Sequence, residues 1–190
     1  QIAHSLMDTT DMDEYKHPLS IDMCQSCGIA KINEPCPPEK LYLNYNYNFS
    51  SWKSEPHRPE EINMIKNSCG KGPFSIFEIG CNDGSFITLF DLKEVKIRIG
   101  LEPNPYPAAI AQKKGVQVIN QFLNSETVDQ VVKENGRFEL IVARQVMEHL
   151  NDYDLFFKCL DKLCVDDGYV FIDIPDSDNG FRQGDCSIIW

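Results

Sequence analysis

From residue 74 onward, short apolar runs alternate with longer segments that are apolar on one side only. The apolar runs predict five strands, at 75–80, 96–101, 116–119, 138–143 and 168–174. The segments between them predict four helices, at 84–92, 106–114, 125–135 and 152–164. The strand runs are apolar at consecutive positions, which is typical of a parallel sheet covered by helices on both faces. The pattern therefore predicts an α/β fold built on a doubly wound parallel sheet.

Residues 1–70 do not follow this alternation. They are irregular and rich in proline, and they predict only one short helix, at 59–67. The stretch Cys69-Gly70-Lys71-Gly72-Pro73 has the composition of a linker. We therefore expect a small N-terminal domain at 1–70 and a ligand-binding core at 71–190.

The strongest candidate site begins on the first strand of the core. This strand carries Glu78 and ends in a tight turn, Gly80-Cys81-Asn82-Asp83-Gly84. Eighteen residues after Gly84, the next strand ends in Glu102. A strand, a glycine turn, a helix and a second strand ending in an acid form half of a nucleoside-binding site, whose carboxylate accepts both ribose hydroxyls. The alternative is an ordinary turn that binds nothing, and the spacing to Glu102 disfavours it.

The composition of the turn bears on which nucleoside binds there. A pyrophosphate needs neutral residues and free backbone N–H groups at the start of the helix. Asn82 replaces the middle glycine of a dinucleotide-binding turn, and we expect the neighbouring Asp83 to repel a pyrophosphate. Together with Glu78, this acid favours a ligand that carries cationic groups and no phosphate. S-adenosylmethionine, with its sulfonium and its ammonium, is such a ligand.

The bulk composition excludes some partners. A net charge of −11, from 18 basic and 29 acidic residues, argues against nucleic acid as the main ligand, because phosphate binding needs clustered Lys and Arg. No apolar run approaches the length of a membrane span. Of the eight cysteines, Cys81, Cys159 and Cys164 fall on predicted core elements. We expect these three to be buried reduced thiols, and the protein to be cytoplasmic.

The segment Cys24-Gln25-Ser26-Cys27-Gly28 has the spacing of half a zinc-ribbon knuckle. A structural zinc site takes four protein ligands, and only two are visible here. His17 and Cys36 are possible partners, but neither has the spacing of a second knuckle. A half zinc site and a turn with two reduced thiols therefore both stay open.

A dense aromatic segment precedes the core: Tyr45-Asn46-Tyr47-Asn48-Phe49-Ser50-Ser51-Trp52, followed by His57. Aromatic faces stack on a sugar ring, and the polar tips bond its hydroxyls, so the segment suits recognition of a sugar or ribose. The alternative is a packing surface between the two domains. Tyr45, Tyr47 and His57 are candidate catalytic residues on the acceptor side of the site.

The exit of the fourth strand contributes further candidates. Ligands of doubly wound sheets bind beyond the carboxyl ends of the strands, where Ala143, Arg144 and Gln145 follow the strand core. His149 comes shortly after and is a fourth candidate catalytic residue. Its alternative role is that of a histidine bonded to backbone at the start of a helix.

These pieces together resemble class I S-adenosylmethionine-dependent methyltransferases. Within that superfamily they look like the C-methyltransferases of nucleotide-linked keto-sugars, which carry an N-terminal zinc-binding domain. The matching motifs are Cys24-Gln25-Ser26-Cys27-Gly28, Tyr45-x-Tyr47, the turn from Glu78 to Gly84, Gly100-Leu101-Glu102-Pro103, the stretch from Ala143 to His149, and Asp173-Ile174-Pro175.

The resemblance implies a Rossmann-like core that is truncated at its C-terminal side, behind an irregular zinc-ribbon-like segment. It implies a first cysteine pair upstream of Gln1, and a catalytic Glu-His motif and a C-terminal domain beyond Trp190. Zinc, if present, is assigned to Cys24 and Cys27. One departure is Asn48, because some members carry a histidine directly after the second tyrosine. The cofactor is assigned to Glu78, Gly80, Cys81, Asn82, Gly84, Glu102, Pro103, Asn104, Gln121, Phe122, Ala143, Arg144 and Gln145.

The implied reaction is methyl transfer to carbon of a small-molecule acceptor, a nucleotide-linked keto-sugar, in sugar biosynthesis. A base removes a proton next to the ketone, and a donor such as Tyr45 or Tyr47 stabilises the enolate. Three alternatives stay open: an O- or N-methyltransferase on another small molecule, a nicotinamide-dependent oxidoreductase, and a non-enzymatic zinc-ribbon module fused to an inactive core. Asn82 and Asp83 disfavour the second, and the retained Glu78 and Glu102 disfavour the third. The oligomeric state stays open.

Overall fold

The computed structural model describes residues 16–18, 20–43, 55–70, 72–176, 180 and 182–183. These residues fall into two compact units, one containing 16–43 and 175–183 and the other containing 55–174. The first unit has three short elements, which are the strands β1 (Ile21–Met23) and β2 (Ala30–Ile32) and the helix α1 (Pro38–Tyr42). β1 and β2 pair antiparallel, and the turn between them carries Cys24 and Cys27.

The second unit is an alternating α/β domain. Its elements in chain order are α2 (Arg58–Cys69), β3 (Phe74–Ile79), β4 (Val95–Leu101), α3 (Pro105–Lys113), β5 (Gln117–Ile119), α4 (Ser125–Asn135), β6 (Phe138–Arg144), α5 (Tyr153–Leu163) and β7 (Cys164–Asp173). The helices α3, α4 and α5 begin within one residue of their sequence-predicted starts, and Asn104, Asn124 and Asp152 cap them. Each of these side chains accepts a backbone N–H from the first turn of its helix.

The five strands form one parallel sheet in the order β5-β4-β3-β6-β7. The chain builds β3, β4 and β5 outward in one direction and then crosses back, so that β6 lies on the other side of β3. The carboxyl ends of β3 and β6 therefore mark the point where the winding reverses, which is where such sheets bind ligands. The predicted doubly wound, Rossmann-like fold is confirmed.

Two apolar clusters hold helices against the two faces of the sheet. One packs α4 and α5 against side chains such as Phe77 and Ile141, and the other packs α2 and the 86–90 segment against side chains such as Ile76. These side chains are essentially fully buried, and each such burial stabilises the fold by about 1.5–3 kcal/mol. Cys81, Cys159 and Cys164 are buried thiols, as predicted.

The predicted helix at 84–92 is wrong. The segment forms turns and a single 3-10 turn at Ile87–Leu89, and Phe90 is already extended. Thr88 Oγ1 donates to the Gly84 carbonyl, and Asp91 starts a new turn by accepting the Lys93 N–H. Phe86, Ile87 and Phe90 are buried in the core from these turns, and their spacing in the sequence happens to match that of an amphipathic helix.

Four other elements differ from the sequence prediction. The β1–β2 hairpin and α1 lie in a region predicted to be irregular. β7 begins at Cys164 rather than at 168, because its pairing with β6 continues through a register shift near Gly168.

Among the described residues, no helix is both long enough and apolar enough to span a bilayer.

Candidate functional site

The glycine turn after β3 is a closed backbone structure held against the end of β4. Gly80, Asn82 and Gly84 have positive φ angles of 69°, 48° and 72°. The N–H groups of Gly80 and Cys81 both donate to the Leu101 carbonyl, over 2.8 and 3.0 Å. The positive φ angles at Gly80 and Gly84 explain why the turn needs glycine at both positions.

Every backbone N–H from 80 to 85 has an acceptor within the protein. After the two bonds to Leu101, the Asn82 N–H donates to Glu102 Oε2, and the Asp83 N–H donates to Asn82 Oδ1. The Gly84 N–H donates to the Cys81 carbonyl, and the Ser85 N–H donates to Asp83 Oδ1. The turn therefore offers no row of unengaged N–H groups to a phosphate, in contrast to a dinucleotide-binding turn.

Glu102 is fixed at the end of β4 by contacts on both carboxylate oxygens. Oε2 accepts the Asn82 N–H at 2.9 Å, and Oε1 accepts the Asn104 N–H at 2.8 Å. The residue is 7% exposed, and this burial raises its pKa to about 7, although the two N–H donors act to lower it. Each carboxylate oxygen has a second acceptor position, so the carboxylate can accept two further donors.

Tight packing behind the turn fixes its distance from β4. A Cβ added at Gly100 would overlap Cys81 Sγ, and one added at Gly84 would come within 3.0 Å of the Ala111 Cβ. Cys81 is 3% exposed, and burial raises the pKa of its thiol well above the usual range. The thiol of Cys81 therefore acts as an apolar contact between the turn and β4.

Asp83 has a different role from the one expected from sequence. Its side chain is fully buried, its Oδ2 lies 3.2 Å from Lys114 Nζ, and its Oδ1 accepts the Ser85 N–H. Lys114 thus balances its charge within the protein. Asp83 is therefore no longer expected to repel a pyrophosphate. A pyrophosphate is disfavoured instead because the backbone N–H groups of the turn already donate to acceptors within the protein.

Glu78 lies near the end of β3, at the point where the winding of the sheet reverses. The residue is 3% exposed, and its Oε2 has no hydrogen-bond partner among the described residues. Burial raises the pKa of this carboxyl to about 8, against the opposing effects of the Arg144 and Arg58 charges and the Ile87 N–H. Burial therefore favours the protonated, neutral form of this carboxyl.

Arg144, at the end of β6, is surrounded by carboxylates of its own domain. Its Nη2 lies 3.1 Å from Glu55 Oε1, 3.5 Å from Glu61 Oε2 and 3.4 Å from Asp173 Oδ2. The guanidinium also stacks 4.2 Å from the centre of the Phe86 ring. Arg144 therefore joins the start of α2 to the ends of β6 and β7, in addition to the cofactor role predicted for it.

The neighbours of Arg144 on β6 differ in exposure. Ala143 is fully buried in the core, whereas Gln145 is exposed and has a positive φ of 51°. The Gln145 N–H donates to the Asp173 carbonyl at 2.7 Å, which ties the loop after β6 to the end of β7.

The two predicted catalytic histidines lie at different places in the domain. His57 immediately precedes α2, with its Nε2 3.6 Å from Glu61 Oε1 and 3.9 Å from Glu55 Oε1. His149 lies in a 3-10 turn after β6, with its Nε2 4.0 Å from Glu148 Oε1. Burial raises the pKa of Glu148 to about 7. Tyr45 and Tyr47 lie outside the described residues.

The remaining predicted cofactor residues follow β4 and β5. Pro103 and Asn104 continue directly from Glu102, and the Asn120 amide donates to the carbonyls of Glu102 and Pro103 at 2.7 and 2.9 Å. Gln121 is exposed and accepts the Thr127 hydroxyl at 2.7 Å, and Phe122 is partly buried. Sequence reasoning missed Asn120. Its position at the end of β5, beside the end of β4, is the signal that could have identified it.

The cysteine pair of the first unit lies in the turn between β1 and β2. Hydrogen bonds from the Cys27 and Ser26 backbone lower the pKa of the exposed Cys24 thiol. The third-ligand candidate His17 has its Nε2 2.8 Å from the Glu34 carbonyl oxygen. Within the described part of the chain, no group of three or more His, Cys, Asp or Glu side chains is placed to hold a metal ion.

Comparison with known proteins decides the family. Residues 49–184, well over half of the chain, match the family model described as a methyltransferase domain. The chain belongs to the methyltransferase domain family. The predicted membership of the class I methyltransferases is thus confirmed.

A curated relative of this methyltransferase domain is the C-methyltransferase NovU of Streptomyces niveus. The two are 23% identical over 160 residues, which cover 83% of this chain and 38% of NovU. The chain therefore spans well under half the length of this relative.

Solved structures support the fold of the methyltransferase domain. The plantazolicin methyltransferase BamL, solved with a triazolic desmethylPZN analog and SAH, superposes with a TM-score of 0.56 at 18% identity, over 70% of this chain and 52% of BamL. A TehB-like SAM-dependent methyltransferase from Corynebacterium glutamicum gives a TM-score of 0.50 at 15% identity, over 73% of this chain and 75% of its own. At these identities the likeness concerns the fold alone.

Proposed function

We propose that this domain binds S-adenosylmethionine at the carboxyl ends of β3, β4 and β6 and transfers its methyl group to a small-molecule acceptor. The geometry of Glu102 carries the proposal. Its carboxylate is buried, held through both oxygens, and able to accept two further donors, as the two ribose hydroxyls of an adenosine require.

The charges around the turn fit the rest of the cofactor. S-adenosylmethionine carries an ammonium and a sulfonium and no phosphate. The engaged N–H groups of residues 80–85 leave no phosphate cradle, whereas Glu78 presents a buried carboxyl oxygen without a partner among the described residues. A cationic group beside Glu78 would satisfy that oxygen and favour its ionised form. This combination supports S-adenosylmethionine over a nicotinamide dinucleotide.

The cofactor, when bound, supplies an electrophilic methyl group on a sulfonium. The protein must then position the acceptor and exclude water. The buried ends of β3 and β6 provide a dry wall for this, because Glu78, Ala143 and Arg144 are all less than one-tenth exposed. Gln145 and the loop that follows it lie at the exposed border of the same strand ends.

For the acceptor, we infer a nucleotide-linked keto-sugar that is methylated on carbon. The likeness to the C-methyltransferase NovU supports carbon as the methylated atom. The aromatic and hydroxyl-rich residues that precede Glu55, Tyr45 and Tyr47 among them, support a sugar. His57 is a candidate base among the described residues, because it immediately precedes α2 with its Nε2 3.6 Å from Glu61 Oε1 and 3.9 Å from Glu55 Oε1.

Calorimetry with the whole chain at neutral pH tests the cofactor class. We expect S-adenosylmethionine to bind and NAD⁺ to give no heat of binding at the same concentration. Binding of NAD⁺ alone, or of neither ligand, would contradict the proposal.

A labelled cofactor tests the acceptor. With S-adenosylmethionine carrying ¹³C in its methyl group and a nucleotide-linked keto-sugar as acceptor, we expect the ¹³C spectrum of the product to show a methyl bonded to carbon. A methyl bonded to oxygen would reject carbon methylation while leaving the cofactor assignment intact.

A further inference from the structure

The face of the sheet beneath the start of α2 ends in an acidic group of side chains. We define the Arg144 cluster as Glu55, Arg58, Glu61, Glu78, Arg144 and Asp173. Arg144 lies within 3.1–3.5 Å of three of its carboxylates, and Arg58 bonds to Glu55. The cluster has four carboxyl groups and two guanidinium groups, so its acids outnumber its bases by two.

Within this cluster, Glu78 is the most deeply buried carboxyl. Glu55 and Asp173 each have a guanidinium nitrogen within 3.1–3.4 Å, whereas Glu78 Oε2 has no partner among the described residues. An ionised carboxylate buried without a partner is costly, so the group takes up a proton instead. A cationic group of a bound ligand would stabilise the ionised carboxylate, so that the carboxyl could release its proton.

We propose that Glu78 gives up a proton to solvent when the cationic end of S-adenosylmethionine binds beside it, so that cofactor binding is coupled to proton release. This inference rests on the proposed function. In the exchange the O–H bond of the Glu78 carboxylic acid breaks, the proton passes to the buffer, and the carboxylate pairs with the ligand ammonium. Because binding releases a proton, the affinity for the cofactor rises as the pH increases toward the pKa of Glu78 in the cofactor-free protein, which is about 8.

Other ionisable groups near Glu78 set the design of the experiment. Arg144 faces it from β6, Arg58 from α2, and Asp83 from the glycine turn. Glu102 and Glu148 have raised pKa values of about 7 and lose protons in the same range. Among the described residues, Cys81 also interacts electrostatically with Glu78, and Glu55, His57, Glu61 and Asp173 lie in or beside the Arg144 cluster. The contribution of Glu78 is therefore measured as the difference between wild type and a Glu78 variant in the number of protons released per cofactor bound.

Calorimetric titration of the whole chain with S-adenosylmethionine at about pH 6.5 measures this proton. Titrations in phosphate and in imidazole, which differ in ionisation enthalpy, give the number of protons released per cofactor. The α-amino group of the ligand, with a pKa of about 7.7–8.0, stays charged at this pH and contributes little. An adjacent positive charge lowers a carboxyl pKa by about 1–3, so wild type should release about 0.2–0.9 more protons than Glu78→Gln.

A second ligand keeps the test independent of the variant's folding. 5′-Methylthioadenosine contains the adenosine but neither cation, so wild type should release fewer protons with it than with S-adenosylmethionine, by the same amount. Binding of S-adenosylmethionine with equal proton release in wild type and Glu78→Gln, or with both ligands, would overturn the inference and leave the proposed function standing. Failure of wild type to bind S-adenosylmethionine at any pH would overturn both.

Discussion

Replacement of Glu78 by glutamine should change how the stability of the folded protein depends on pH. Folding raises the pKa of this carboxyl from an ordinary 4.5 to about 8, because the side chain is buried in β3 with one oxygen unpartnered among the described residues. Between these two values the folded protein holds a proton that the unfolded chain has lost. Stability attributable to Glu78 therefore falls as pH rises through this window, and it is constant above about pH 8.

The size of the effect follows from the difference between the two pKa values. Each pKa unit corresponds to 1.36 kcal/mol, so a rise of about 3.5 destabilises the folded state by roughly 5 kcal/mol at high pH. About 4 kcal/mol of this should develop between pH 5 and pH 8.5. Glu78→Gln keeps the shape of the side chain and has no proton to lose, so the variant should gain this amount relative to wild type over the same range.

Urea denaturation followed by circular dichroism measures this difference. Wild type and Glu78→Gln are unfolded at several pH values from 5 to 8.5, and the two free energies of unfolding are compared at each. Glu126→Gln, a change at an exposed carboxyl in the first turn of α4, is the matched control and should follow wild type. Free energies for wild type and Glu78→Gln that stay parallel within about 1 kcal/mol would refute the assignment of Glu78 as a buried neutral acid.

Two further changes test the cofactor side. Glu102→Ala removes an acceptor for two hydroxyls and should weaken S-adenosylmethionine binding by about 1–3 kcal/mol in calorimetry; affinity equal to wild type would remove Glu102 from the site. Gly100→Ala forces a Cβ against Cys81 Sγ and should cost about 1–3 kcal/mol in urea denaturation. Adding Cys81→Gly should recover part of that loss, and a simple sum of the two single effects would show that these residues do not press on each other.

The parts of the fold that were predictable from sequence are those determined by local pattern. The apolar runs of β3, β4 and β6 are visible in the sequence because each is formed by consecutive residues. The glycine turn and the position of Glu102 were predictable for a similar reason. A parallel sheet brings the ends of neighbouring strands together whatever the rest of the chain does.

The parts that could not be predicted depend on contacts between distant residues. Lys114 forms an ion pair with Asp83, which lies 31 residues earlier in the chain. Arg144 donates a hydrogen bond to Glu55, which lies 89 residues earlier. The segment at 84–92 has helical spacing, but Phe86, Ile87 and Phe90 reach the core from turns and a single 3-10 turn instead. The raised pKa of Glu78 likewise results from its burial by the surrounding elements. The sequence shows the carboxyl but not the residues that bury it.

The most direct test of the account is a crystal structure of this chain with S-adenosylhomocysteine. We expect the ligand at the carboxyl ends of β3 and β4, with both ribose hydroxyls about 2.5–3.0 Å from the Glu102 carboxylate oxygens. We also expect its ammonium on the side of Glu78. A ligand bound elsewhere, or a ribose that does not contact Glu102, would contradict the central claim that this turn and this acid form the cofactor site.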